Sequence, residues 1–262
     1  MLKDSIHLHL FSRLAKVNNK RNLMTEKEEM SHIVKTARIA GVLYLLVGIF
    51  GGFAEGYLEP KMYVAGNAAV TAGNVVANSG LVRLGVLADL FDGTLFIILA
   101  LILYVLFEHV HKSMARAMLV FVVIAVAITC ISALFEYEGL RVATRAVDMT
   151  FTGIGGSNAV VLLLLDSQHY GLLIAQIFFG LWLAPLGYLA YKSEWFPKSL
   201  GIILIAACVS YLVDFLAAFL FPETSKVIHG FAIILPAIAE PWMVLYLLIV
   251  GVRTKKGIAV EG

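Results

Sequence analysis

Four acidic side chains, Asp89, Asp92, Asp214 and Glu240, stand inside long apolar runs of this 262-residue chain. An ionisable group at the centre of a bilayer costs about 2.5–3.5 kcal/mol on insertion scales, so such residues serve pairing or function. Asp89 and Asp92 are three residues apart and share one face of a helix. Glu240 sits between Pro236 and Pro241, where proline frees helix carbonyls, as in the broken helices that line transporter sites. Arg83, Glu136, Arg141, Arg145, His169 and His229 fall near the same ends of the apolar runs. The chemistry this suggests is a polar cavity that binds a cation, a proton or a small polar solute. Carboxylates with His169 or His229 can also ligate a metal, but no dedicated spacing such as His-Glu-x-x-His is present. The bland alternative is structural. Asp89 would pair with Arg83 or Arg141 and Asp214 would bond a Tyr or a backbone group, contacts worth about 0.6 kcal/mol on average in membranes.

Positioning these groups requires membrane helices. The chain is 60% hydrophobic and 15% charged, with a mean hydropathy of +0.89. Soluble domains carry about 45–50% apolar and about 25% charged residues. A helix needs roughly 20 apolar residues to cross a bilayer core of about 30 Å. Six runs qualify, at about 36–54, 84–107, 117–135, 171–191, 199–221 and 231–250. The expected fold is therefore an all-α integral membrane bundle of six transmembrane helices, with short surface helices in the outer loops. One such helix is expected within Val64–Ala77 and another over Ala159–Asp166. The segments 55–83 and 136–170 read as long loops, and a kink is expected near Glu240.

Three segments follow: a basic N-terminal stretch (1–35), partly disordered or interfacial, the six-span domain (36–252), and a basic tail (253–262). Fifteen of the twenty Lys and Arg residues fall on one side of the six spans. The excess of positive charge on cytoplasmic loops places both termini in the cytoplasm of a cell (plasma) membrane protein. Trp195 and Phe196, in the Lys192–Lys198 turn between spans four and five, are expected at headgroup level. The basic N-terminus suits anionic lipid and not nucleic acid.

Smaller signals carry less. Cys130 and Cys208 lie in apolar runs and read as buried free thiols. His109 and His111 read as solvated in a turn. Phe178, Phe179 and Trp182 read as packing. Gly153–Gly156, within the glycine-rich Thr152–Asn158, lacks the strand and Lys of a phosphate loop. No cofactor is evident, and the oligomeric state is open.

The chain resembles the bacterial multi-pass membrane proteins grouped as domain of unknown function 4386. VRLGVLADL (Val82–Leu90), FFGLWLAPLGYLAYKSEWFPKSLGIIL (Phe178–Leu204), YLVD (Tyr211–Asp214) and PAIAEPWMVLYLLIVG (Pro236–Gly251) carry the resemblance. It covers roughly residues 36 to 252 and implies a six-span membrane fold without an activity. It also implies an Arg and a Glu in the third span, which Val120–Ile131 lacks. Three functions remain open on the sequence: a binder or carrier of a small solute or ion, a membrane-embedded lipid hydrolase, and a structural subunit.

Overall fold

The computed structural model describes residues 2–147, 149 and 153–253, with side chains placed for 27–147, 149 and 155–253. Asp148, Thr152, Lys255, Lys256 and the side chains before Lys27 lie outside that description. All regular structure among the described residues is helical. Helix α1 (Leu2–Gly51) runs directly into a π-helical segment (Gly52–Leu58) and then α2 (Glu59–Met62). The Glu59 amide donates to the Ala54 carbonyl, five residues back, which is the wide π register. The first span thus continues past Ala54, and Glu55 belongs to it, where the sequence pattern suggested a loop. The expected surface helix is α3 (Ala68–Ala77), started by the Asn67 side chain accepting from the Val70 amide at 3.1 Å.

Helix α4 (Ser79–Ala143) contains 65 residues and would be about 98 Å long if straight. It folds back instead at His111, whose backbone is extended (φ −161°, ψ 97°). The His111 ring nitrogen accepts from the Met114 amide at 3.3 Å and so caps the returning arm. Both turn histidines are exposed yet engaged, His109 beside the Trp195 ring and His111 against Tyr188. Five helical stretches are long and apolar enough to cross a membrane, and the reversal makes two arms of one of them. Six spans result.

After α4 come α5 (Gly153–Leu181) and α6 (Leu183–Lys192), which together form the fourth span. The run Ala159–Asp166 is the start of that span and not a separate surface helix. Most of the expected 136–170 loop is therefore helical, because its apolar residues find partners to bury against. Helix α7 (Lys198–Leu220) returns tightly beside α6. A Cβ on Gly187 would stand 2.6 Å from the Gly201 carbonyl, so both positions need glycine for backbones to meet. Phe196 in the connecting turn is only 2% exposed and packs on Phe107 and Tyr246, so it is core and not a headgroup anchor.

The sixth span is made of α8 (Pro222–Ala232) and α9 (Ile234–Ile249). Its interruption falls at Ile233 and not at Glu240, and Pro241 lies inside α9. The cause is Pro236, which cannot donate to the carbonyl of Ala232. The Ser210 hydroxyl donates to that carbonyl at 2.7 Å instead.

Exposed apolar residues form a belt. On the outgoing arm of α4 they run from Leu84 to Val105, about 32 Å along the axis and close to the thickness of a hydrocarbon core. Inside the belt are two apolar clusters. The larger fills the end near the Lys192–Pro197 turn, with Tyr44, Phe96, Val126, Trp182 and Met243 at its far edge. The smaller closes the opposite, distal end with Leu58, Met62, Val75, Val82, Leu140, Val161 and Leu165. Between them lies a polar layer.

Candidate functional site

The polar layer has two parts. In the first, Asp89 and Asp92 project from the outgoing arm of α4 and are 4% and 8% exposed. They face the π segment and the returning arm. A Cβ on Gly51 would sit 3.6 Å from Asp92 Oδ1, and one on Gly85 3.5 Å from Glu136 Oε1. Glu136 is buried too. Glu55, Glu59, Asp89, Asp92 and Glu136 lie within electrostatic reach of one another in a chain of neighbours. Asp92 Oδ1 is buried with no hydrogen-bond partner among the described residues, and so is Thr129 Oγ1 on the returning arm. Among the described residues no Lys or Arg pairs with Glu55, Asp89, Asp92 or Glu136.

The second part is satisfied. Glu240 accepts from the Tyr44 hydroxyl at 2.8 Å and the Tyr211 hydroxyl at 2.9 Å, one bond to each carboxylate oxygen. Tyr44 is itself held by an edge-on contact with Trp182, ring centroids 5.4 Å apart. Asp214 Oδ2 accepts from Gln176 Nε2 at 2.7 Å and stands 2.8 Å from His229 Nδ1. These bonds tie together spans one, four, five and six. Tyr211 lies within electrostatic reach of both Glu55 and Asp214, so the two parts adjoin.

At the distal rim, His169 Nδ1 meets Glu59 Oε1 at 2.6 Å, and the imidazole stacks on the Tyr63 ring. Tyr63 donates to Asp166 Oδ1 at 2.6 Å. Burial foremost, and then this bond, push the Tyr63 phenol above its ordinary value, so it stays a donor at physiological pH. Arg141 pairs with Glu138 on its own helix at 2.7 Å. Arg83 is exposed and makes no ion pair with a described residue. Neither arginine reaches Asp89. The expected Asp214–Tyr or Asp214–backbone bond is replaced by the bonds to Gln176 and His229. No group of three His, Cys, Asp or Glu side chains among the described residues stands ready to hold a metal ion.

The family described as Domain of unknown function (DUF4386) matches residues 39–251. The chain belongs to that family. No curated protein and no solved structure matches it significantly. The DUF4386 region takes in the whole polar layer, from Tyr44 to Glu240, and excludes most of the helix before Ile39.

Within this DUF4386 bundle the sequence-derived acids are brought to one level but not to one point. Asp89 and Asp92 meet spans one and three, whereas Glu240 meets spans one and five and Asp214 meets span four and the α8 segment. His169 belongs to the rim. The third span, which seemed to lack an acid, holds Glu136 because the helix runs on to Ala143. Sequence reasoning missed Glu55, Tyr44, Tyr211, Gln176 and Thr129. Glu55 had a signal: no proline or capping residue separates it from the apolar run before it. The tyrosines and Thr129 had none, since hydroxyl residues are common in membrane helices and only packing shows which are left without a partner.

Proposed function

We propose that this DUF4386 protein is a non-enzymatic integral membrane protein that takes a proton or small cation into a carboxylate-lined interior from its distal face. The observation that carries this reading is the unpartnered Asp92 oxygen, buried beside Asp89 within a layer of acids that no Lys or Arg of the described residues neutralises. A carboxylate in a low-dielectric interior stays charged only with positive charge beside it and otherwise takes up a proton, so these acids call for a proton or a cation. The π segment carrying Glu55 adds to the reading, since π turns within α-helices recur at functional sites. His169 with Glu59 stands at the distal rim, on the side from which a solute would reach the layer. The excess of Lys and Arg on the other side makes the distal face the outer one of a cell membrane, with both termini in the cytoplasm.

The test is flux. Purified protein in vesicles loaded with a cation- or pH-sensitive dye should show a rate above that of empty vesicles when a proton or alkali-cation gradient is imposed. Asp89→Asn with Glu55→Gln should lower that rate at least tenfold. Vesicle rates equal to the empty control in every gradient, with no ligand-dependent change in thermal unfolding, would overturn the reading.

A further inference from the structure

We infer that Asp92 and Thr129 form a site for one monovalent cation, held between the outgoing and returning arms of α4 beside the π segment. This rests on the reading of the acidic layer given above and narrows it to a ligand class and two residues. Hydroxyl side chains in a membrane helix ordinarily donate to the carbonyl four residues back. Thr94, Ser132 and Thr144 do so, to Leu90, Ile128 and Leu140 at 2.8–3.0 Å. Thr129 does not, although it is only 3% exposed. Its oxygen gives up the bond its neighbours make.

Register places it at the level of the acids. Across the hairpin a Cβ on Gly93 would meet Val126, and one on Gly85 would meet Glu136. Thr129 is one turn from Val126 on that same face, and so lies at the level between Asp89 and Gly93. Asp92 Oδ1 comes up against Gly51, the last residue before the π segment. Two buried oxygens, one of a carboxyl group and one of a hydroxyl, therefore stand in the same layer without bonding each other or any other described group.

The ligand class follows from charge and ligand type. Hard oxygen donors exclude soft metals as the natural partner. Calcium takes six to eight oxygens, several from carboxylates, and zinc wants converging His, Cys or carboxylate ligands. No three such groups converge among the described residues. One carboxylate balanced against one positive charge, with a hydroxyl as neutral ligand, suits an alkali cation.

The experiment follows thermal unfolding of the full chain in nanodiscs at constant ionic strength, with choline replaced by sodium, lithium, potassium or calcium. Wild type should gain stability, with saturation, in at least one alkali cation over choline. Thr129→Val removes the hydroxyl at constant shape and should keep the fold while weakening the apparent cation affinity at least tenfold. Thr129→Ser should restore it, and Asp92→Asn should abolish it. Wild-type cation affinity in Thr129→Val would overturn the site. So would a wild type equally stable in choline and in every alkali cation, since the two oxygens would then hold water. A calcium or pH response lost in Glu55→Gln and Asp89→Asn but intact in Thr129→Val would also overturn it, while leaving the broader reading of the acidic layer standing.

Discussion

Glu240 and Asp92 are both acids on membrane helices, and their surroundings are opposite. Glu240 has a tyrosine hydroxyl on each oxygen, delivered by spans one and five. Asp92 has an oxygen buried against Gly51 with no hydrogen-bond partner among the described residues. Buried polar groups are nearly always bonded, because leaving one unmade costs about 1–3 kcal/mol. Both oxygens of one acid are bonded, and one oxygen of the other is not bonded by any described group. The half of the bundle around Glu240 is built for holding helices together. The half around Asp92 has stability to gain by being filled.

The difference shows in backbone packing too, and there the largest effect is expected. Gly187→Ala drives a Cβ into the Gly201 carbonyl, a backbone atom that cannot swing aside. It should cost about 3 kcal/mol, the upper range for overpacking, read as a lowered unfolding midpoint and loss of monodisperse protein. Gly51→Ala, on the acidic side, meets Asp92 Oδ1 at an ordinary 3.6 Å. It should leave stability within about 1 kcal/mol of wild type, because the Gly-to-Ala helix preference offsets any crowding. Equal losses at the two glycines would break the comparison.

Next in size is Tyr211→Phe, which strips one hydroxyl from Glu240. A hydrogen bond to a charged acceptor contributes about 1.5–3 kcal/mol, although membrane bonds average nearer 0.6 kcal/mol. A loss of about 1–2 kcal/mol in chemical unfolding is expected, with a similar loss for Tyr44→Phe. His229→Ala should cost less, below about 1 kcal/mol, because Gln176 still bonds the same Asp214 oxygen. Smallest, and opposite in sign, is Thr129→Val in choline buffer. Removing an unpaired buried hydroxyl should be neutral or stabilise by up to about 1 kcal/mol.

Much of the scaffold was legible in the chain. Apolar runs of bilayer length located six spans, and the stretch Val64–Ala77 held the surface helix. Legibility failed at span ends, for one physical reason. Glu55, Glu136 and the 155–170 region looked like loop because they mix polar with apolar residues. Their helices run on past the hydrocarbon into the distal cluster of Leu58, Leu140, Val161 and Leu165, where protein and not lipid covers them. The acids were visible as misplaced residues. Which of them were satisfied was not, since that depends on Tyr44 and Tyr211, each far in sequence from Glu240 or on another span. Phe196 misled because an aromatic beside lysines suits a headgroup anchor equally well as a core plug.

The division between a holding acid and a receiving acid is tested most directly by one paired measurement. Glu240→Gln and Asp92→Asn are each unfolded thermally in choline and in a saturating alkali cation, beside wild type. The account predicts that Glu240→Gln unfolds at lower temperature yet keeps the cation-dependent gain. Asp92→Asn should unfold near wild type in choline and lose the gain. The reverse pattern, or the same loss of stability and response in both, would contradict it.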